Sequence, residues 1–232
     1  MNELYKIVNL KKHPIINSRE YINSCHNNLK KNSILQLDNF LKKNCLLELQ
    51  KEANLLHDKA YYCSQLHTIL LGKKKKNLAI DDPCNIEVKS DKGCVPHDLI
   101  PIRSYLNILY KSYEFKKFLK RVLSIKNIYP YKDNLSSINY NYYEKSQQLG
   151  WHFDNASFAI TLMIKSSKKG GEFEYLTNGR NYDKKTINKP LIKKVLEKKQ
   201  KINKLLVNPG TLILFYGRNY LHRVTPVESN QN

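Results

Sequence analysis

The sequence predicts an α+β domain in which a mainly helical N-terminal part precedes short strands that close on themselves as a barrel or jelly roll. Helix-type spacing of apolar residues is found before Pro130, at 33–63 and 103–123. After Pro130 the texture turns to short alternating or apolar runs rich in Tyr and β-branched residues. Gly, Pro and Asn turns separate these runs, which is the pattern of an antiparallel closed sheet and not of alternating βαβ units.

Residues 33–63 read as one helix, with Asp38 as N-cap and Leu46, Leu49, Ala53, Leu56, Ala60 and Cys63 at steps of three and four. Residues 72–98 hold Gly, Pro, Asp and the run Lys73 to Lys76, and read as a long exposed loop. Residues 103–123 predict a second amphipathic helix, capped by Ser104, with Leu106, Leu109, Tyr113 and Phe118 along one face. Strands are expected at 136–143, at 158–165, at 170–176 after a Gly-Gly turn, at 211–217 after Asn208-Pro209-Gly210, and at 222–227. Between the third and fourth of these, residues 183–204 are very Lys-rich and suit an exposed helix or insert.

The chain of 232 residues fits one domain, 1–232, with residues 131–232 as the sheet core. Hydrophobic residues make up 41%, a globular composition. The opening MNELYKIVNLKKHPII has no apolar leader core, and no apolar run approaches membrane length, so a cytoplasmic setting and no membrane partner are expected. Five cysteines at wide spacings, none in a C-x-x-C pair, suit reduced thiols. The net charge of +20 raises a nucleic-acid partner. Yet only six of the 40 basic residues are Arg, which supplies the commonest base-specific contact, and the Lys is spread from end to end. A solvated Lys surface is the reading this favours.

Chemistry enters at Gly150-Trp151-His152-Phe153-Asp154. On an extended strand, residues i and i+2 point to the same face, roughly 6.5 Å apart at Cα, so His152 and Asp154 can converge on one ion. His222, at the start of a later strand, is the candidate third ligand. Two His and one carboxylate form the facial set of non-haem Fe(II) oxygenases, although Zn hydrolases also use such sets.

The segments LGWHFDNASFAITLMI, GGEFEYL and NPGTLILFYGRNYLHRVTPV together resemble the cupin-type 2-oxoglutarate/Fe(II) oxygenases that act on free amino acids, a group of standalone halogenases and their hydroxylating relatives. The likeness is strongest from about 135 to 228 and looser upstream. The resemblance implies a double-stranded β-helix with helices packed outside. It implies His152, Asp154 and His222 as iron ligands, and Fe(II), 2-oxoglutarate and O2 as metal, co-substrate and oxidant. It also implies a small substrate of amino-acid type, oxidised with release of succinate and CO2. In the halogenase branch the position of Asp154 is Gly, which frees a coordination site for halide. A carboxylate there implies hydroxylation, or another oxidation, and not chlorination.

The relatives pair the distal carboxylate of 2-oxoglutarate with an Arg ten or eleven residues beyond the second His. Here Asn232 is ten residues beyond it, so a truncated last strand, or another group in the place of that Arg, is expected. Arg218 and Arg223 are the nearest substitutes, and Thr161 can reach the oxoacid if it points inward. Arg223 directly follows His222, so on a strand it should face away. Trp151 should pack in the core. Glu172 and Glu174 share one face that suits either a cationic substrate or solvent, and Asn139, Asn141 and Tyr143 share another that can line a pocket. Two alternatives stand beside the amino-acid oxygenase: an inactive or truncated paralogue, and a nucleic-acid oxygenase suggested by the charge.

Overall fold

A computed structural model describes residues 3–133 and 135–229. In chain order the elements are α1 (Leu4–Ile7), α2 (Arg19–Asn32), β1 (Ile34–Leu37), α3 (Lys43–Leu56), β2 (Tyr61–Thr68), β3 (Glu87–Pro96), α4 (Tyr105–Lys111) and α5 (Tyr113–Leu123). There follow β4 (Asn139–Tyr142), β5 (Leu149–His152), β6 (Ala159–Leu162), β7 (Lys169–Gly170), β8 (Phe173–Leu176), β9 (Arg180–Asn181) and β10 (Thr186–Ile187). The chain then runs through α6 (Lys189–Leu196), β11 (Asn203–Leu205), β12 (Leu212–Phe215), β13 (Leu221–Val224) and β14 (Val227–Ser229). Every strand pairing is antiparallel.

The first half departs from expectation. Residues 33–63 are not one helix: β1 precedes α3, and β2 begins at Tyr61. Asp38 does not cap α3. Its Oδ1 accepts from the Gln36 side chain at 2.8 Å and from the Thr211 hydroxyl at 3.1 Å, which ties the turn after β1 to β12. The expected loop at 72–98 gives way at Glu87 to the ten-residue β3. The helix at 103–123 divides at Ser112, whose hydroxyl accepts from Phe115 N and starts α5 as a new helix. Ser104 caps α4 through Leu106 N. In the second half each expected strand appears, but the one at 222–227 is interrupted before Val227, so β13 and β14 are separate. Within the Lys-rich stretch, α6 turns Ile192 and Val195 inward.

The packing is layered. A three-stranded sheet, β1-β12-β6, turns Leu35, Leu37, Leu212, Leu214 and Leu162 toward the helices α2 to α5. Strand alternation turns Ile34, Ile213, Phe215, Ala159 and Met163 the other way, where they meet Phe173, Tyr175 and Leu205 of a four-stranded sheet, β11-β8-β13-β5. The outer face of that second sheet, through Trp151, Leu176 and Leu221, packs on α6 and on Ile69 and Cys84. A third sheet, β2-β3-β4, adjoins β5 through the bridge between Asp91 and Gln148. The space between the first two sheets is therefore walled on both sides by rigid pairing. Among the described residues, no helix is long and apolar enough to cross a membrane, and all five cysteines are free thiols.

The helical layer is held by aromatic packing: Phe118 is fully buried, stacked on Phe115, which leans on Phe40. Phe118→Ala should destabilise the domain by about 3–5 kcal/mol, read as a lower midpoint in urea unfolding followed by circular dichroism. A loss under about 1 kcal/mol would show that this layer does not carry the core.

Candidate metal centre

The four-stranded sheet brings together residues 70 apart in sequence. β13 lies between β8 and β5, and its register sets His222 directly opposite His152. Opposed Cα atoms in an antiparallel pair are about 4.5–5.5 Å apart, and the two imidazole centroids lie 4.2 Å apart. Asp154 follows two residues after the end of β5, and its backbone N–H donates to Gly217 O at 2.9 Å. That bond fixes the turn after β5 against the turn after β12. The Asp154 Oδ1 then lies 3.4 Å from His152 Nε2 and 3.6 Å from His222 Nε2. One ligand atom from each of the three lies within 4.8 Å of the others.

Both imidazoles are held in the tautomer that suits a ligand. His152 Nδ1 lies 2.8 Å from Gly150 O, and His222 Nδ1 lies 2.9 Å from Tyr220 O. A carbonyl only accepts, so each Nδ1 carries the proton and donates it. Each Nε2 is left with its lone pair directed at the other two groups. Burial lowers the His152 pKa, reinforced by the neighbouring His222, so the ring stays neutral at ordinary pH. Burial would raise the Asp154 carboxyl, but the adjoining His152 and His222 rings outweigh it, and the acid is held far below the usual carboxylate range. Two imidazoles that present Nε2 and one ionised carboxylate are the donor set of a divalent metal of oxygenase type. The residues fit Fe(II).

Packing fixes the cluster. Phe173 stacks on His222 at 5.7 Å, and Phe215 meets the same ring edge-on at 4.9 Å. His67 stands edge-on to His152 at 6.2 Å, and is itself held by Ser90 Oγ at 2.6 Å and Thr68 O at 2.8 Å. Gly217 leaves the space that the Asp154 carboxylate fills: a Cβ there would lie 1.7 Å from Asp154 Oδ2.

The other predicted residues lie as follows. Arg223 points to the outer face of the sheet, where Nη2 and Nε each sit 2.7 Å from Glu174 Oε2 and the guanidinium covers the Trp151 ring at 4.8 Å. Arg218 donates to Asn155 O through Nε at 2.9 Å and Nη2 at 2.5 Å, and stacks on Tyr182 at 4.2 Å. Neither guanidinium is turned toward the three ligand groups. Thr161 lies on the same face of β6 as Ala159 and Met163, the face directed between the sheets. Glu172 and Glu174 are engaged by Lys204, and Glu174 also by Arg223, on the outer face. Trp151 is a buried packing residue, as expected. Sequence reading missed His67, Ser90 and Lys92, which lie on β2 and β3, segments too polar to announce themselves as strands.

The family described as Halogenase D matches residues 17–232. Among solved structures, a 2OG-Fe(II) oxygenase family protein from Burkholderia pseudomallei superposes with a TM-score of 0.55 at 13% identity, covering 92% of this chain and 87% of that one. A prolyl-4-hydroxylase from Pseudomonas putida gives a TM-score of 0.54 at 11% identity, covering 89% and 92%. A prolyl hydroxylase from Trichoplax adhaerens, solved with a peptide fragment of hypoxia inducible factor, gives 0.50 at 15% identity, covering 90% and 84%. No curated protein matches the sequence. At these identities the likeness to the solved structures establishes the fold, while the family match spans nearly the whole chain. The chain belongs to the Halogenase D family, and with it to the 2-oxoglutarate- and Fe(II)-dependent oxygenases.

Proposed function

We propose that this protein hydroxylates a small substrate, a free amino acid, at an Fe(II) centre held by His152, Asp154 and His222. The reading is carried by the convergence of two Nε2 lone pairs and one ionised carboxylate between two sheets. The sheets correspond to the two walls of a double-stranded β-helix, with β11-β8-β13-β5 as one wall and β1-β12-β6 in the other. Bound Fe(II), with 2-oxoglutarate and O2, supplies the oxidising power for oxygen insertion into a C–H bond, and 2-oxoglutarate leaves as succinate and CO2.

The chain's own residues supply position and dryness. His152 and His222 hold the ion through Nε2, with their ring planes set by Gly150 O and Tyr220 O. Phe173 and Phe215 prevent the His222 ring from turning and exclude water from that side. Thr161 is placed to hydrogen-bond the oxoacid from β6. Asp154 supplies the third ligand, and its carboxylate occupies the position through which a halide would enter. This supports hydroxylation although the family's name is that of a halogenase. The amino-acid substrate rests on the sequence likeness around Trp151–Asn155 and Leu221–Val227.

The principal test is anaerobic addition of Fe(II) and 2-oxoglutarate, followed by the metal-to-ligand charge-transfer band, and then succinate release across a panel of free L-amino acids. The band and amino-acid-dependent succinate with a hydroxylated product are expected. A chlorinated product from the wild-type protein would overturn the hydroxylase assignment. His152→Ala or His222→Ala should remove the band and all turnover, and normal activity in either would contradict the ligand set. Asp154→Gly should end hydroxylation, checked by product mass spectrometry with and without chloride. Gly217→Ala should leave the fold intact by circular dichroism but displace the Asp154 carboxylate. Metal affinity should then fall about 10- to 100-fold, measured by Co(II) titration, and unchanged affinity would refute that role for Gly217.

A further inference from the structure

β3 is pressed against the metal-bearing strand. Asp91 and Gln148 exchange backbone hydrogen bonds at 2.9 and 3.1 Å, and Gly150 N donates to Ser90 Oγ at 2.9 Å. Gly150 permits this approach, since a Cβ there would lie 2.6 Å from Lys89 O. Strand alternation puts Ser90, Lys92 and Cys94 on one face of β3. Ser90 marks that face as the one directed at the metal centre, because it bonds both His67, which abuts His152, and Gly150 on the ligand strand.

Lys92 is therefore a cation on the site face of β3, half-buried. Its Nζ donates to Asn141 Oδ1 at 2.5 Å. Asn141 in turn donates Nδ2 to Asn139 Oδ1 at 2.6 Å, which turns its own oxygen toward Lys92. An ammonium carries three donors, and Asn141 takes one. Among the described residues, Lys92 enters no ion pair, whereas Lys89, two positions earlier on β3, is paired with Asp91 at 2.6 Å. Burial lowers the Lys92 pKa. A partly desolvated ammonium without a counter-ion is costly unless an anion completes it. The two arginines nearest in sequence to His222 are turned to Glu174 and to Asn155 O.

We propose that Lys92, steadied by Asn141, is the carboxylate anchor of the active site, holding the carboxylate of an organic acid seated beside the metal. The proposal rests on the metal centre described above. The carboxylate has two possible sources: the distal end of 2-oxoglutarate, or the α-carboxylate of an amino-acid substrate. Either would complete the ammonium's charge-assisted bonds as a point-charge partner, where a guanidinium would offer a planar fork.

The test uses the full chain loaded anaerobically with Co(II). Calorimetric titrations of 2-oxoglutarate and of 2-oxobutanoate, which lacks the distal carboxylate, are compared in the wild type, Lys92→Met and Lys92→Arg. If the anchor holds 2-oxoglutarate, Lys92→Met should weaken 2-oxoglutarate about 10- to 100-fold, leave 2-oxobutanoate unchanged, and be partly rescued by Lys92→Arg. If it holds the substrate, 2-oxoglutarate affinity should be unchanged in Lys92→Met. The KM of the best free L-amino acid, measured by succinate release with Fe(II), should then rise by a similar factor, while its carboxamide gains no such penalty. Co(II) spectra and thermal midpoints matching the wild type confirm that the variants are folded and metallated. Intact Co(II) binding with neither constant moved would overturn the anchor alone. Failure of the wild type to bind Co(II) would overturn the metal centre and the anchor with it.

Discussion

The antiparallel pairing of β13 with β5 is the constraint on which the site depends. It alone sets His222 opposite His152 across 70 residues of chain. Everything near the centre reinforces that pairing. The backbone carbonyls of Gly150 and Tyr220, each two residues before its histidine, take the Nδ1 protons. Tautomer and ring orientation are thus fixed by the same strands that fix position. Asp154 needs only one further bond, to Gly217 O, to bring its carboxylate to both Nε2 atoms. The third ligand is therefore supplied by the approach of two turns and not by the ladder itself.

The two sheets do different work. The sheet β1-β12-β6 is buttressed by the helical layer and presents Phe215 to the His222 ring. The sheet β11-β8-β13-β5 carries the ligands and is backed by α6 and the segment around Ile69. With apolar packing behind both sheets, the gap between them is kept by shape and not by charge. β3 and β4 join the second sheet at one side, through the Asp91–Gln148 bridge.

How far this was legible in the sequence follows the balance of local and distant causes. β6, β8 and β12 are apolar or alternating runs bounded by turn residues, and they announce themselves. The metal triad was legible because His152 and Asp154 lie at strand spacing within a distinctive block, and His222 lies in another. β2 and β3 were not legible. β2 is exposed along its first six residues, and β3 carries Glu, Lys, Ser, Asp and Lys, so neither has the alternation of a half-buried strand. Their pairing is decided by tertiary partners, which is where strand propensity is weakest. α2 was missed for a related reason: its buried stripe is only Ile22, Cys25 and Leu29 amid polar residues. The helix read through 33–63 is too long at both ends: the spacing at Ala60 and Cys63 runs on into β2, which its pairing with β3 holds extended, and β1 is a strand because it pairs with β12.

The outer face of β13 adds a safeguard of its own. Side chains alternate along a strand, so a slip of one residue would carry Arg223 into the gap and expel His222. Such a slip would also strip the buried Glu174 carboxylate of its guanidinium and uncover the Trp151 ring on which that guanidinium lies. A misregistered sheet would thus leave the buried Glu174 to Lys204 alone and bring a guanidinium among aromatic rings. The ion pair on the back of the sheet guards the alignment of imidazoles it never touches.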